Sequence, residues 1–109
     1  MSKVIAAASY ESQKYFFEPA FGDLPEDIKN EIRIICVVMA QRLGCSFIMG
    51  FKDTGDVYFE IVKPELAYDF DDIGADLEIK SLTREKEELI KALKVWYLYK
   101  KELKEGESR

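Results

Sequence analysis

The sequence contains no histidine among its 109 residues. This absence removes the commonest general base, every Ser–His or Cys–His nucleophile pair, and the usual metal ligand outside thiolate sites. The only two cysteines, Cys36 and Cys45, have no further thiol with which to form a zinc knuckle or a C-x-x-C redox pair. Both lie among apolar neighbours, so we expect reduced core residues. The sequence therefore predicts no catalytic site, no metal and no cofactor.

Long apolar runs and a positive charge excess are also missing. The longest apolar run covers residues 34–40, whereas a helix that crosses a bilayer needs ~18–20 residues. Residues 4–8 follow Lys3 as in a secretory signal, but such a signal requires ~7–15 apolar residues. The net charge is −5, whereas nucleic acid demands a basic footprint. We expect an acidic, cytoplasmic protein that binds neither membranes nor nucleic acid.

Length and composition fit a single folded unit. The chain is 48% hydrophobic and 34% charged, close to the globular average. It shows no internal repeat, low-complexity tract or interdomain linker. We predict one globular α+β domain over residues 1–105 and a frayed C-terminal tail at 106–109.

A long helix is predicted over residues 25–43. Pro25 suits a first helical position, Arg42 complements the negative end of the helix dipole, and Gly44 can adopt the left-handed cap. One apolar stripe at helical spacing contains Ile28, Ile32, Ile35, Met39 and Leu43. This stripe is expected to face the core.

Residues 45–63 alternate in polarity as two β-strands do. Between the strands, Asp53-Thr54-Gly55 suits a three-residue hairpin loop with glycine at its left-handed position. The loop predicts a register in which Lys52 lies opposite Asp56, Phe51 opposite Val57, Met49 opposite Phe59 and Phe47 opposite Ile61.

The remaining segments are interpreted as helical. Residues 2–18 favour a helix because Tyr10 and Phe17 lie seven apart, although residues 15–17 would equally suit a strand. A short helix weakened by Gly74 is predicted within 64–78, with a stripe of Leu66, Phe70, Ile73 and Leu77. A last helix is predicted from about 81 to 103, with a stripe of Leu82, Leu89, Leu93, Trp96 or Tyr97, and Leu103. The architecture expected is a two-layer α+β fold with a long helix, an antiparallel hairpin and one or two C-terminal helices. A lone hairpin is marginally stable, so a third strand should come from the N-terminal segment or from a dimer partner.

The acidic stretch at residues 64–78 resembles a calcium loop only in part. Asp69-x-Asp71-x-Ile73-Gly74 has glycine at the sixth position, as an EF-hand loop does. However, Ile73 occupies the fifth position, and Lys80 occupies the twelfth, where the bidentate glutamate belongs. The pattern therefore favours a solvated acidic face without specific calcium affinity.

The functional hypothesis is self-association. Ile34 and Val38 lie off the main stripe of helix 25–43, on a flank that another surface must cover, and Trp96 with Tyr97 adds an aromatic cluster. These four residues are the candidate interface of a homodimeric protein-interaction module without catalytic activity. One alternative is a small-molecule-binding or sensory domain, with an apolar pocket between hairpin and helices and polar groups from Tyr58, Tyr97 or Tyr99. A third hypothesis is a catalytic role for the acidic stretch at residues 64–78.

Two stretches resemble an uncharacterised family of short bacterial proteins of unknown function. The first runs from residues 24–31 (LPEDIKNE) into 35–37 (ICV), and the second from 72–74 (DIG) into 82–89 (LTREKEEL). These are helix-start and amphipathic-helix patterns. The resemblance implies no activity, cofactor or binding residue.

Overall fold

The computed structural model describes residues 2–64 and 69–107, and within these ranges it contains three α-helices and one four-stranded antiparallel sheet. The elements are β1 (Lys3–Ser9), β2 (Lys14–Phe17), α1 (Glu26–Leu43), β3 (Ser46–Phe51), β4 (Val57–Val62), α2 (Asp72–Glu85) and α3 (Glu87–Glu107). The strand order is β2-β1-β3-β4, and a 3-10 turn at Pro19–Phe21 connects β2 to α1. This arrangement confirms the predicted α+β class.

The N-terminal segment is a β-hairpin, so the helix predicted over residues 2–18 is wrong. β1 pairs with β2 on one side and with β3 on the other. Ala6 and Ala8 lie opposite Met49 and Phe47 and are almost fully buried. Pairing on both sides of β1 outweighs the helix propensity of the alanines, because strand preference depends on tertiary context. The N-terminal segment therefore supplies the third strand and also a fourth.

The long helix α1 is confirmed. It begins at Glu26, so Pro25 occupies the N-cap and not the first helical position that the sequence predicted. Gly44 closes the helix in the left-handed conformation with φ 63°, and its backbone N–H donates to the Ala40 carbonyl. Ile32, Ile35 and Met39 from the predicted stripe are buried against the sheet, together with Cys36 and Ala40. α1 packs on β1, β2 and β3.

The hairpin of β3 and β4 has the predicted register. Phe51 lies opposite Val57, Met49 opposite Phe59 and Phe47 opposite Ile61. The turn is closed by two backbone hydrogen bonds of 2.8 Å, from Lys52 N–H to the Asp56 carbonyl and from Gly55 N–H to the Lys52 carbonyl. Gly55 has φ 89°, as the proposed loop requires.

Replacement of Gly55 by valine is expected to lower the free energy of unfolding by about 1–2 kcal/mol, because a β-branched residue resists positive φ. An added Cβ would also lie 3.2 Å from Cγ of Leu98. Urea unfolding of wild type, Gly55→Val and Gly55→Asn measures the effect. Asparagine tolerates positive φ and should recover much of the loss. An unchanged urea midpoint in the valine variant would contradict this account of the turn.

The predicted helix from 81 to 103 is wrong at its start, because two helices meet at Lys86. α2 ends at Glu85, and α3 begins at Glu87. Lys86 leaves helical geometry at φ −104° and ψ 22°, while its ammonium group lies 3.2 Å from Glu31 on α1. Leu82 therefore belongs to α2, whereas Leu89, Leu93 and Tyr97 form the buried stripe of α3.

The stripe predicted within residues 64–78 is also wrong. Ile73 and Leu77 are 77% and 60% exposed, whereas Ala75 and Leu82 are buried and Ile79 packs against the core. Residues 75, 79 and 82 follow helical spacing, which turns Ile73 and Leu77 toward the opposite side. Leu66 lies outside the described residues.

Candidate interaction surfaces

The sheet carries helices on one face only. Its core face packs against α1 and α3 through alternating residues of all four strands. The residues that alternate with them, and so lie on the open face, are Ala7, Ser9, Lys14, Phe16, Ser46, Ile48, Gly50, Tyr58, Glu60 and Val62. Phe16 and Val62 are 49% and 50% exposed, and Ile48 and Tyr58 are half-buried by their neighbours. None of the helices described covers this face.

The apolar residues of the open face are neighbours across the strands. Phe16 lies opposite Ala7, and Ala7 lies opposite Ile48, so these three residues form one row across β2, β1 and β3. On β4, the ring of Tyr58 lies over Gly50, where an added Cβ would come within 2.5 Å of the ring. Glycine therefore allows the ring to lie flat on the sheet. Together these residues form an apolar patch, and polar residues on the same face border it, which are Ser9, Lys14, Ser46 and Glu60.

The four predicted interface residues fall in two different environments. Ile34 and Val38 are 61% and 43% exposed on the outer side of α1. Trp96 is half-buried, and Tyr97 belongs to the core, where its ring stacks on Phe51 with 4.5 Å between centroids. Within one chain, the structure leaves Ile34 and Val38 accessible to a partner and places Tyr97 inside.

A groove of about 800 Å³ lies at the end of the core where α3 passes the N-terminal strand and the 3-10 turn. Its apolar wall includes Val4, Phe21, Trp96 and Tyr97, and its rim carries Lys3, Lys100, Lys101 and Lys104 together with Glu18 and Asp23. The rings of Phe21 and Trp96 meet edge to face, 6.0 Å apart.

Lys100 is held within this groove by two contacts. Its ammonium group forms an ion pair with Asp23 and lies 5.8 Å from the centre of the Trp96 ring. The hydrogen bond from Lys100 is the main reason why the pKa of Asp23 is lowered. Two other rim lysines, Lys101 and Lys3, interact electrostatically with the carboxylate of Asp53.

The sequence indicated an aromatic cluster at Trp96 and Tyr97 but did not predict the groove. Lys101 follows Tyr97 by one helical turn, and Lys104 follows by another, so the buried stripe of α3 continues as lysine where the helix passes the sheet. The change from apolar residues to lysine along this stripe could have indicated the groove. Lys3 lies far from α3 in the sequence, and nothing in the sequence indicated that it lies beside these lysines.

The tyrosines proposed for a ligand pocket do not converge. Tyr58 lies on the open sheet face, Tyr97 lies in the core, and Tyr99 is 59% exposed on α3. Of these three alternatives, Tyr97 lines the groove at the end of the core.

Both cysteines are free thiols and are buried, as the sequence predicted. Burial raises the pKa of Cys36 to about 12 and also raises the pKa of Cys45. The thiolate is the reactive form of cysteine. Neither thiol is therefore activated as a nucleophile in the folded protein.

The acidic stretch has a structural role at the start of α2. A carboxylate oxygen of Asp71 accepts the backbone N–H of Gly74 at 2.9 Å, which caps the helix. Asp72 forms an ion pair with Lys63. Within residues 2–64 and 69–107, no group of three or more metal-ligating side chains is present.

The comparisons with other proteins identify the family of the chain. No described helix is long and apolar enough to cross a membrane. A search of curated proteins found no match, and a search of solved structures found none. A family model described as "Family of unknown function (DUF6145)" matches residues 2–105, which confirms the resemblance to a family of unknown function. The chain belongs to this family.

Proposed function

We propose that the protein is a homodimeric interaction module without catalytic activity, in which two copies pack through their open sheet faces. One observation carries the proposal: the described helices cover only one face of the four-stranded sheet, and the other face carries an apolar patch with Phe16, Ile48 and Tyr58. This extends the sequence hypothesis of self-association to a different surface.

The composition of the open face is unusual for a surface in contact with water. An antiparallel sheet with one solvated face normally carries polar residues there. Here Phe16, Ile48, Tyr58 and Val62 share that face with polar residues, which are Ser9, Lys14, Ser46 and Glu60. Burial of apolar surface contributes roughly 25 cal/mol per Å², and contiguous apolar patches commonly mark interaction sites. A second copy of the same face offers matching apolar surface.

Charge and symmetry favour a face-to-face arrangement. Lys14 lies on the edge strand β2, and Glu60 lies on the edge strand β4, both on the open face. Packed sheets align their strands to within about 30°. A two-fold axis along the strands would place β2 of one copy over β4 of the other. Opposite charges would then meet along both edges of the contact.

The outer side of α1 is the rival contact. Ile34 and Val38 are both exposed, and neither α3 nor the N-terminal strands cover them. However, they are two residues one turn apart, and isolated apolar residues are normal on a protein surface. The sheet face has more apolar residues, and these lie on neighbouring strands, so it is the preferred interface. Trp96 and Tyr97 lie in neither contact, and they would support either one only indirectly, through their packing inside the protomer.

Light scattering coupled to size exclusion tests the proposal at tens of micromolar protein. The wild type is expected to be dimeric. The double variant Phe16→Glu/Val62→Glu should raise the dimer dissociation constant at least tenfold, because it buries four carboxylates in one contact. The matched control Ile34→Glu/Val38→Glu adds the same charge on α1 and should leave the dimer intact. Circular dichroism verifies that each variant is folded.

Two outcomes would overturn the proposed interface. A monomeric wild type at this concentration would exclude the homodimer. Dissociation of the dimer by the α1 variant, with the sheet variant still dimeric, would assign the contact to Ile34 and Val38 instead.

A further inference from the structure

We infer that the groove between the start of β1, the 3-10 turn and α3 binds a small organic anion whose charged group is attached to a flat apolar body. This site is separate from the open sheet face and goes beyond the proposed function. Its elements are an aromatic wall, a lysine rim and a volume within the usual range for ligand sites, ~300–1,000 Å³.

The aromatic wall would hold the apolar body. Phe21 contacts Trp96 edge to face at 6.0 Å and also contacts Phe51 at 5.4 Å, and Phe51 stacks on Tyr97. Phe51 is fully buried, and Phe21 and Tyr97 are nearly so. These contacts fix the wall before any ligand arrives, so little ordering is required on binding. Trp96 remains half-buried and presents part of its ring to the groove.

The lysine rim would hold the charged group. Lys101 and Lys104 are three residues apart on α3, where side chains are neighbours and like charges repel. Lys3 adds a third ammonium group from β1. Lys100 is paired with Asp23, and the Asp53 carboxylate interacts electrostatically with Lys101 and Lys3, which compensates part of the positive charge of the rim. An anion between the rim lysines would relieve the repulsion.

The charge of the lining selects the class of ligand. The groove is lined by four lysines and two acidic residues, Glu18 and Asp23, and the Asp53 carboxylate interacts with two of these lysines. Four positive and three negative charges leave an excess of one positive charge, in a chain whose net charge is −5. A polyphosphate would meet the two carboxylates as well as the lysines. A single carboxylate or sulfonate on an aromatic or cyclic body matches both the small positive excess and the aromatic wall.

Trp96 provides a direct readout, because it is the only tryptophan in the chain. Titration with 8-anilinonaphthalene-1-sulfonate should quench its fluorescence saturably and transfer energy to the probe. N-phenyl-1-naphthylamine lacks the sulfonate and serves as the neutral control. We expect the sulfonate to bind at least tenfold more tightly, with an affinity that decreases as salt is added.

A matched pair of lysine variants locates the site. Lys101→Gln/Lys104→Gln should weaken sulfonate binding at least tenfold, with the affinity for the neutral probe almost unchanged. Lys80→Gln/Lys91→Gln removes the same charge from exposed positions outside the groove and should bind as the wild type does. All four substitutions are on helix surfaces, and circular dichroism verifies the folds.

Three results would overturn the inference. The first is Trp96 fluorescence that does not respond to the sulfonate at millimolar concentration. The second is equal affinity for the charged and the neutral probe. The third is an equal loss of binding in both lysine variants, which would indicate a general effect of net charge.

Discussion

Replacement of Phe51 by alanine is expected to lower the free energy of unfolding by about 3–5 kcal/mol, the range for removing a buried phenylalanine ring. Phe51 is fully buried at the end of β3. Its ring contacts Phe21 of the 3-10 turn at 5.4 Å and stacks on Tyr97 of α3 at 4.5 Å. One side chain thus joins the sheet to two other elements, and the cavity left by alanine would weaken all three.

Urea unfolding followed by circular dichroism measures this loss. Domains are typically stable by about 5–15 kcal/mol, so we expect the variant to lose a large fraction of its free energy of unfolding. Tyr99→Ala is the control, since Tyr99 is 59% exposed on the same helix and should cost less than about 1 kcal/mol. Similar losses in the two variants would show that the Phe51 contacts do not support the core as described.

Alkaline pH is expected to destabilise the fold through Cys36. Burial raises the pKa of Cys36 from 9.0 to about 12, and burial similarly raises the pKa of Tyr15 to about 12. As pH rises above 9, the unfolded chain loses the thiol proton while the folded protein retains it. Ionisation therefore favours the unfolded state. The contribution of Cys36 to the free energy of unfolding is fully present below pH 9 and declines between pH 9 and pH 12. From the shift of Cys36, we expect a loss of about 2–3 kcal/mol by pH 11.

The variant Cys36→Ala separates this loss from other alkaline titrations. It removes the buried thiol and should decrease the slope of unfolding free energy against pH above 9, whatever its own stability at pH 8. Urea unfolding at pH 8, 9, 10 and 11 gives both slopes. Identical slopes for wild type and variant would mean that Cys36 does not retain its proton in the folded protein.

Local chemistry made α1 and the β3–β4 hairpin predictable. Gly44 and Gly55 both adopt the left-handed backbone that the sequence required of them. The alternation of apolar residues and the length of the turn chose the same register, which leaves no alternative pairing of equal quality. Where the deciding interactions lie within a few residues, the sequence was sufficient.

The N-terminal strands and the α2–α3 junction depended on interactions between distant residues. Residues 4–8 are apolar and rich in alanine. They become a strand because β3 pairs with them, although α1 separates the two strands in the sequence. The junction at Lys86 has neither glycine nor proline to signal a break, and its ammonium group binds Glu31 on another helix. The groove likewise combines Lys3, Phe21 and Lys104, whose proximity follows only from the complete fold.

The strand order divides the sheet into two local hairpins joined by a single seam. Residues paired between β1 and β3 lie 37 to 48 positions apart along the chain, from Ser9 with Ser46 to Lys3 with Phe51. Because loop-closure entropy rises with the logarithm of loop length, closing this seam costs about 2 kcal/mol more than closing either hairpin turn. Each hairpin is marginally stable alone. Pairing of β1 with β3 is therefore the step of sheet formation with the largest cost in loop-closure entropy. A chain in which β1 and β3 have not paired could exchange its N-terminal hairpin with another molecule.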